Sequence, residues 1–518
     1  MTSCGSEYSA ARFGEEDMFD MIKMRTGMKT ILFVAFILLC SFVSSCGSSS
    51  QQTAHEQMTE ADPAEADTTT EDIEPDLPDL DLNGKEYLFL VHGEDFDYND
   101  KWIDTEAMDG EIVNDAIYER NRAAEEKFDC VISAQYETAV NSYVAKTVMA
   151  GDTHFFAVWG MRNDMSSGIQ KHVYLDLNQL KHCDFRAAYW DKNCVEQFML
   201  GGRLYMMASD ISMGNLDTGP RYLYFNKKII EDYQLKSPYD YVSEDDWTLD
   251  NFLPLVEAVS EDLNGDGRMD REDRFGMLTE DGSANGNILY LLVGAGIRPV
   301  SSDESGMPVI SIYSEKAQTI IDKVAAVLKS PDKCIEYNVC AKGADYSQFN
   351  HLFDYCRSLF ASGHFLFVQN GCDATLQFID MQDDYGIVPN PKYDSAQENY
   401  YHRTDPFSTM LAVPATNNDL ENSGALLEWM SWKSSRTVLP AYYETTMKLK
   451  RQRDDTAMKM LDLIKGSIYY DIADIFDLGV SSVIWDAYEK GDLASIYAKN
   501  ESKMQKNIDK LIENLAGQ

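Results

Sequence analysis

Residues 262–273 (DLNGDGRMDRED) place oxygen-bearing side chains at the spacing of a calcium-binding loop. Asp or Asn stands at positions 1, 3, 5, 9 and 12 of the loop, and position 6 is glycine, as the sharp turn of an EF-hand loop requires. Ca²⁺ is a hard cation that takes about six to eight oxygen ligands, so this spacing predicts a structural Ca²⁺ site. The predicted ligands are Asp262, Asn264, Asp266, the Arg268 carbonyl, Asp270 and Asp273.

The last position of this loop departs from EF-hands. Asp273 stands where EF-hands have Glu, and this shorter side chain resembles the calcium loops of dockerins. Residues 274–278 are predicted to be extended rather than helical, so we expect a static ion and not a sensor that opens a groove. The alternative is an acidic, solvated turn that binds no metal.

Other motifs of catalysis or cofactor binding are absent from the sequence. It contains no HExxH, CxxC, Walker or GxSxG pattern, and residues 294–296 (GAG) lack the third glycine of a dinucleotide fingerprint. The formal net charge is −41, from 45 Lys and Arg against 86 Asp and Glu, and an acidic surface repels phosphate backbones. We therefore predict no organic cofactor and no nucleic-acid partner.

The elements that must position these residues alternate between strand and helix. Residues 85–92, 131–136 and 155–159 are apolar runs typical of strands, and helical periodicity lies between them over 114–128 and 140–149. Alternation in units of this length predicts a parallel sheet with helices on both faces.

The same alternation returns in the second half of the chain. Thr248 and Ser314 are predicted helix N-caps, residues 364–369 a buried strand, and residues 504–515 a final amphipathic helix. A chain of 518 residues exceeds a single core, which stops growing near ~250–300 residues. We therefore predict an α/β protein with two lobes.

The N-terminal segment predicts the compartment. Residues 31–43 (ILFVAFILLCSFV) form an apolar run that follows basic residues, as in a secretory signal peptide, and the run is shorter than the ~20 residues that span a bilayer. Residues 43–47 (VSSCG) resemble a bacterial lipobox, which implies that residues 1–46 are a signal peptide with a lipobox that ends in a lipidated Cys46. The lipid would hold the chain to the membrane on its extracytoplasmic side. Residues 1–20 are acidic, unlike a signal-peptide start. The predicted start codons are therefore Met21, Met24 or Met28.

Composition predicts the segment that follows. Residues 47–82 contain eleven acidic side chains and no aromatic residue, Lys or Arg, so we predict a disordered tether. Seven cysteines follow Cys46. Disulfides between Cys183 and Cys194 and between Cys334 and Cys340 are one possibility, and buried free thiols are the other.

Several stretches resemble the family 1 extracellular solute-binding proteins of ABC importers, the maltose-binding-protein-like group. These stretches are NDAIYERNRAAEEKFDC, GGRLYMMASDISMGN, RYLYFNKKIIEDYQL, WTLDNF, LFASGHFLFVQNG, DDYGIVPNPKYDSAQENYY, LAVPATNNDLENSGALLEWMSW and LPAYYETTMKLKRQRDD. The resemblance implies a two-lobed type II periplasmic-binding-protein-like fold, whose discontinuous lobes are joined by a hinge. The implied first lobe is 83–208 plus 405–455, and the second is 209–404 plus 456–518. Residues 205–209 are the implied first hinge strand, and residues 406–414 the return.

The resemblance also implies which side chains line the cleft between the lobes. Trp159, Arg162 and Asn163 match a sugar-binding loop at the end of a strand, and Asn370 and Asp373 follow the strand of the second lobe in the same way. An indole face stacks on a sugar ring while polar side chains bond its hydroxyls. The alternatives are core packing for the tryptophan and turn chemistry for the asparagine.

Asp210 comes directly after the implied hinge strand, where it meets either the ligand or the moving lobe. Turn chemistry is again the alternative reading of this residue.

Two functions follow from these expectations. The first is a monomeric, non-enzymatic receptor that captures a small solute, a mono- or oligosaccharide, and delivers it to the transmembrane subunits of an ABC importer. The second is an extracytoplasmic glycosidase or lyase that uses two carboxylates as acid and base. The missing catalytic motifs and the resemblance favour the receptor.

Overall fold

The computed structural model describes residues 73–93, 102–378, 381–406, 408–449 and 455–516, which all lie in one compact unit that begins at residue 72. The predictions of a signal peptide, a start codon, a lipidated Cys46 and most of the tether lie outside these residues. Among the described helices, none is both long and apolar enough to cross a membrane.

The strands are β1 (Lys85–His92), β2 (Cys130–Glu137), β3 (Phe155–Met161), β4 (Tyr222–Asn226), β5 (Ser260–Glu261), β6 (Arg274–Thr279), β7 (Val300–Ser302), β8 (Pro308–Ile310), β9 (Cys334–Glu336), β10 (Phe365–Asn370), β11 (Tyr385–Val388), β12 (His402–Arg403), β13 (Thr409–Ala412) and β14 (Ile468–Tyr469). The helices are α1 (Ile112–Phe128), α2 (Val140–Met149), α3 (Arg162–Ile169), α4 (Lys192–Phe198), α5 (Gly214–Asp217), α6 (Lys227–Asp232), α7 (Pro238–Ser243), α8 (Leu249–Ala258), α9 (Asn287–Gly294), α10 (Glu315–Leu328), α11 (Tyr337–Ala341), α12 (Leu352–Ala361), α13 (Leu420–Arg436), α14 (Val438–Leu449), α15 (Asp455–Lys465), α16 (Ile472–Ile475), α17 (Val480–Lys490) and α18 (Leu493–Ala516). Short 3₁₀ helices cover Leu177–Gln179 and Cys372–Phe378.

The first sheet has the strand order β13–β3–β1–β2. β1 runs parallel to β2 and β3, and β13 is antiparallel to β3. The apolar runs predicted as strands form these elements, and β1 and α2 have the predicted bounds. The carboxyl ends of β1, β2 and β3 therefore lie at one edge of the sheet.

The second sheet has the order β11–β4–β10–β6–β5, and β9 also pairs with β6. β6 is parallel to β9 and β10, and its pairing with β9 ends where Thr279 lies opposite Glu336. Ser314 caps α10 by accepting a hydrogen bond from the backbone N–H of Ala317. Thr248 precedes α8 as predicted, but its side chain makes no capping bond. The two sheets with their flanking helices confirm the predicted two-lobed α/β fold class.

Three stretches lie side by side between the sheets, and we call them the hinge segments: residues 205–221, 402–406 and 465–471. Pro220 forms an isolated bridge with Thr404, and β12 of the second segment pairs with β14 of the third. Residues 205–209, predicted as a strand, make only isolated bridges. The reason is that β13, which lies in the return segment 406–414, pairs with β3 and forms the edge strand of the first sheet. Residues 205–209 contact this edge strand through one isolated bridge, between Met207 and Leu411.

Residues 73–82 differ from the predicted tether because they pack on the folded unit. Leu82 is buried, and Leu77 and Leu80 contact the core. Glu74 accepts a hydrogen bond of 2.6 Å from the indole of Trp429. The acidic composition predicted a tether, but Leu77, Leu80 and Leu82 are enough to pack this segment against the core.

Candidate functional site

A buried ion-pair network connects the hinge segments to the second sheet. Arg221, next to β4, pairs with Asp405 at 2.6 Å and also with Glu280, and all three side chains are at most 11% exposed. Burial raises the pKa of Glu280, while the positive charge of Arg221 opposes that rise. The Arg221 cation therefore balances two carboxylates in a site that water barely reaches.

Arg162, predicted to contact a ligand, belongs to this network instead. Its guanidinium donates to the backbone carbonyls of Thr404 and Asp405, both at 2.9 Å, and pairs with Asp474 at 2.9 Å. Arg403 pairs with the same carboxylate at 2.8 Å. Arg162 is fully buried and anchors the second hinge segment in this structure, and its predicted contact with a ligand stays a prediction.

Trp159 and Asn163 differ in burial: the tryptophan is buried and the asparagine is exposed. Trp159 is 1% exposed in the core of the first sheet, and its indole N–H donates to the Thr409 hydroxyl at 3.2 Å. Trp159 therefore packs in the core of this structure, and its predicted contact with a sugar stays a prediction. Asn163 is exposed in the first turn of α3.

Asn370 and Asp373 gather around an arginine rather than a pocket. The Asn370 carboxamide oxygen accepts hydrogen bonds from Arg357 at 3.0 Å and from the Gly371 N–H at 3.0 Å. Asp373 accepts from Arg357 at 3.3 Å, and burial raises the pKa of its carboxyl group. The structure thus brings these two predicted residues together, but around a protein cation.

Asp210 lines a pocket of about 390 Å³ beside the hinge segments, which we call the hinge pocket. Its carboxylate accepts a 3.0 Å bond from Lys465, and burial raises its pKa. Trp190, Ser212 and Asn215 share the pocket wall with this pair. Among the side chains predicted to line the cleft, Asp210 lines this pocket.

A larger pocket of about 530 Å³ lies along β6 and β9, and we call it the sheet-edge pocket because its wall includes the carboxyl ends of both strands. Glu280, Asp281 and Glu336 supply carboxylates to its wall, and Trp485 and Tyr488 of α17 supply aromatic rings. The two ring centroids are 5.3 Å apart. In open α/β sheets this edge is the ordinary place for a ligand.

Electrostatics distinguishes the sheet-edge pocket from a solvated surface. Burial raises the pKa of Glu336, and the negative charge of Asp281 raises it further. Two carboxylates that repel each other favour a ligand that donates hydrogen bonds between them. This pocket was not predicted from the sequence, although Glu280 and Asp281, which follow the strand-like run 274–278 after one residue, were a signal for it.

The predicted calcium loop forms a compact turn of its own. Asp262 accepts hydrogen bonds from the N–H groups of Gly265 and Gly267, at 2.7 and 2.8 Å, and Asp273 accepts from Leu263 and Asp270. Within the described residues, no group of three or more His, Cys, Asp or Glu side chains is placed to hold a metal ion. The extended strand β6 follows the loop as predicted, and the Ca²⁺ site itself stays a prediction.

We expect calorimetry with Ca²⁺ to show saturable heat for the wild-type chain and none for the Asp262→Ala, Asp266→Ala double variant. The reason is that this substitution removes two of the predicted oxygen ligands. Mg²⁺ is the control ion, since it demands a smaller octahedral cage. A wild-type chain without Ca²⁺-dependent heat rules the site out.

All seven cysteines of the described residues are free thiols, and six of them are buried. Neither of the two possible disulfides is present among these residues. The thiol of Cys194 donates a hydrogen bond to the carbonyl of Met206, and the thiol of Cys334 donates one to the carbonyl of Val327. This arrangement agrees with the free-thiol alternative.

Comparison with known proteins supports the fold. No family model matches the sequence, and no curated protein matches it. A cyclo/maltodextrin-binding protein complexed with maltotetraose is similar in structure, with TM-score 0.53 and 13% identity, over 84% of this chain and 97% of that one. UspC of M. tuberculosis has TM-score 0.51 and 13% identity, over 82% of this chain and 100% of that one.

A sugar transporter from Rhizobium etli, solved in an open conformation, has TM-score 0.50 and 12% identity, over 83% of this chain and 99% of that one. The similarity spans nearly the full length of each of these proteins, so it includes both sheets and the hinge segments. The chain therefore shares the two-lobed α/β fold of these proteins, which confirms the fold that its sequence resemblance implied.

Proposed function

We propose that the chain is a lipid-anchored, extracytoplasmic receptor that binds a small solute, a mono- or oligosaccharide, and delivers it to the transmembrane subunits of an ABC importer. It acts as a monomer and without catalysis. The observation that carries the proposal is the sheet-edge pocket, whose wall includes the carboxyl ends of two parallel strands in a fold shared with a maltodextrin-binding protein.

The side chains of the sheet-edge pocket suit a sugar. A sugar ring offers an apolar face of C–H groups and a rim of hydroxyls, so it fits an aromatic ring next to acceptors. Trp485 and Tyr488 supply the rings, and Asp281 and Glu336 supply the acceptors. A volume of about 530 Å³ is within the range of small-molecule sites.

Glu280 connects this pocket to the rest of the molecule. Its carboxylate pairs with Arg221, which also holds Asp405 of the second hinge segment. A solute in the pocket would therefore contact a carboxylate that is linked through Arg221 to the second hinge segment. Closure around a ligand is the usual motion of two-lobed binding proteins.

We expect maltotetraose or another member of a saccharide panel to raise the melting temperature of the purified chain and to change its tryptophan fluorescence. Asp281→Asn is expected to weaken this binding by about tenfold, because a hydrogen bond to a charged carboxylate contributes about 1.5 kcal/mol. Isothermal titration calorimetry measures the affinity of both proteins.

Asp79→Asn is the matched control, since Asp79 is exposed and is not one of the residues that line the pocket. The bound saccharide is then recovered and analysed by mass spectrometry. Unchanged saccharide agrees with a receptor, and accumulating cleavage product would show a glycan-processing enzyme instead. Equal affinities of Asp281→Asn and Asp79→Asn would remove the sheet-edge pocket as the binding site.

A further inference from the structure

Two buried thiols lie against each other where α11 packs on α12. Cys340 belongs to α11 and Cys356 to α12, and both side chains are 0% exposed. The Cys356 thiol donates a hydrogen bond of 3.6 Å to the carbonyl of Tyr337 in α11. A helical carbonyl points toward the next turn, and Cys340 lies in that turn. The Cys340 thiol is accordingly a hydrogen-bonding neighbour of the Cys356 thiol as well.

This pair differs from the other thiols. Four further cysteines each donate a hydrogen bond to a backbone carbonyl, namely Cys130, Cys183, Cys194 and Cys334. The contact between Cys340 and Cys356 instead joins two thiols. A disulfide needs Cα atoms about 4.4–6.8 Å apart, a separation that suits side chains already in contact. The two cysteines are therefore placed to form a disulfide without rearrangement of the fold.

The folded chain itself protects this pair from oxidation. Its hydrogen bond with Cys340 and its burial both raise the pKa of the Cys356 thiol. A thiol attacks a disulfide as the thiolate, so a raised pKa and a buried position both slow the reaction. We therefore expect the pair to be oxidised while the chain folds, before α11 and α12 cover it.

We propose that Cys340 and Cys356 are a modification site, at which a disulfide-bearing oxidant joins them in a disulfide. The oxidising compartment rests on the extracytoplasmic location in the proposed function. One thiolate attacks the disulfide of the oxidant and forms a mixed disulfide, which the second thiolate then displaces. One S–S bond forms in the chain and one breaks in the oxidant, which leaves as its dithiol with two electrons and two protons.

The disulfide would fix one wall of the sheet-edge pocket. Glu336 precedes α11 and caps it, Val339 lies within α11, and both residues line that pocket. α12 packs on β10, and its Arg357 donates to Asn370 at the end of that strand at 3.0 Å. A bond from α11 to α12 therefore connects the pocket wall to the middle of the second sheet. It also closes the loop between the two helices, which restricts the unfolded chain.

The test refolds the reduced, purified full chain in a glutathione redox buffer, alkylates the remaining thiols and maps the peptides by mass spectrometry without reductant. Cleavage after Glu336 and Lys342 separates Cys340 from both Cys334 and Cys356. We expect a pair of peptides joined through Cys340 and Cys356. Chain exported to an oxidising extracytoplasmic compartment is mapped in the same way, and the same pair is expected.

The oxidised chain is expected to melt about 3–6 °C above the reduced chain, as measured by scanning calorimetry. Cys356→Ala is expected to lose both the cross-link and this difference. Cys194→Ala is the matched control, since Cys194 is an equally buried thiol whose acceptor is a backbone carbonyl, and it is expected to keep both.

The proposal is overturned if Cys340 and Cys356 are both alkylated after refolding and after export, if the mapped peptides join Cys340 to Cys334 instead, or if Cys194→Ala removes the cross-link. Saccharide titrations of the reduced chain are a separate measurement. A missing cross-link therefore leaves the proposed receptor function intact, and a cross-linked chain that binds no saccharide overturns that function alone.

Discussion

Arg221→Met is expected to lower the free energy of unfolding by about 3–5 kcal/mol, the usual cost of removing one partner of a buried ion pair. Arg221 is 5% exposed and is the cation between Glu280 and Asp405. The substitution leaves two carboxylates in a nearly dry site, where their hydration is not restored. Chemical denaturation at neutral pH, followed by circular dichroism, measures the loss.

Lys85→Met is the matched control for Arg221→Met. Lys85 pairs with Asp419, but its side chain is 51% exposed, so solvent screens the pair. We expect a loss below about 1 kcal/mol from this variant. Equal losses from the two substitutions would contradict the role assigned to the buried network.

The pH dependence of Arg221→Met follows from Glu280. The folded-state pKa of Glu280 lies above its ordinary value of 4.5 because of burial, and the charge of Arg221 opposes that rise. Because its pKa is raised, Glu280 binds its proton more tightly in the folded chain than in the unfolded chain. The stability that the protonated carboxyl group contributes is therefore fully present below pH 4.5, and it is lost as pH rises through the folded-state pKa. Without Arg221 the pKa rises further, and we expect the penalty of the variant to shrink on acidification. A penalty independent of pH would contradict this account.

Glu428→Ala is expected to lower the free energy of unfolding by about 3 kcal/mol, because it leaves three donors without their acceptor. Glu428 is 2% exposed and accepts from the indole of Trp190 at 2.7 Å and from the Tyr189 hydroxyl at 2.6 Å. It also accepts from the backbone N–H of Asp184 at 3.2 Å. Urea denaturation measures the loss, and tryptophan fluorescence reports whether Trp190 has moved.

Glu428→Gln is the conservative counterpart, since its amide oxygen keeps one acceptor in the same place. We expect this variant to lose about 1 kcal/mol and to retain most of the native fluorescence. Equal losses of unfolding free energy from the alanine and glutamine variants would show that Glu428 does not stabilise the fold through these hydrogen bonds.

Local elements of this protein were predictable wherever one face of the chain is apolar. The predicted strand 85–92 and the helix Val140–Met149 have the same bounds in the structure, because the periodicity of their apolar residues is a property of neighbouring positions. Residues 205–209 were predicted less well, since their pairing depends on β13, about two hundred positions further along the chain. Residues 73–82 show the same limit, because a few leucines outweigh an acidic composition only when a surface is present to receive them.

The order of helices and strands, and with it the two-lobed α/β fold, was determined by the sequence alone, since apolar periodicity and the order of the motifs are carried by adjacent residues. Only the tertiary structure decided what the polar residues at strand ends do. Arg162 meets a carboxylate 312 positions away, Trp159 a hydroxyl 250 positions away, and Glu280 an arginine 59 positions away. The physical reason is that a side chain at a strand end is free to bind a solute or to join a buried ion pair, and the partner that the fold brings within about 3 Å determines which.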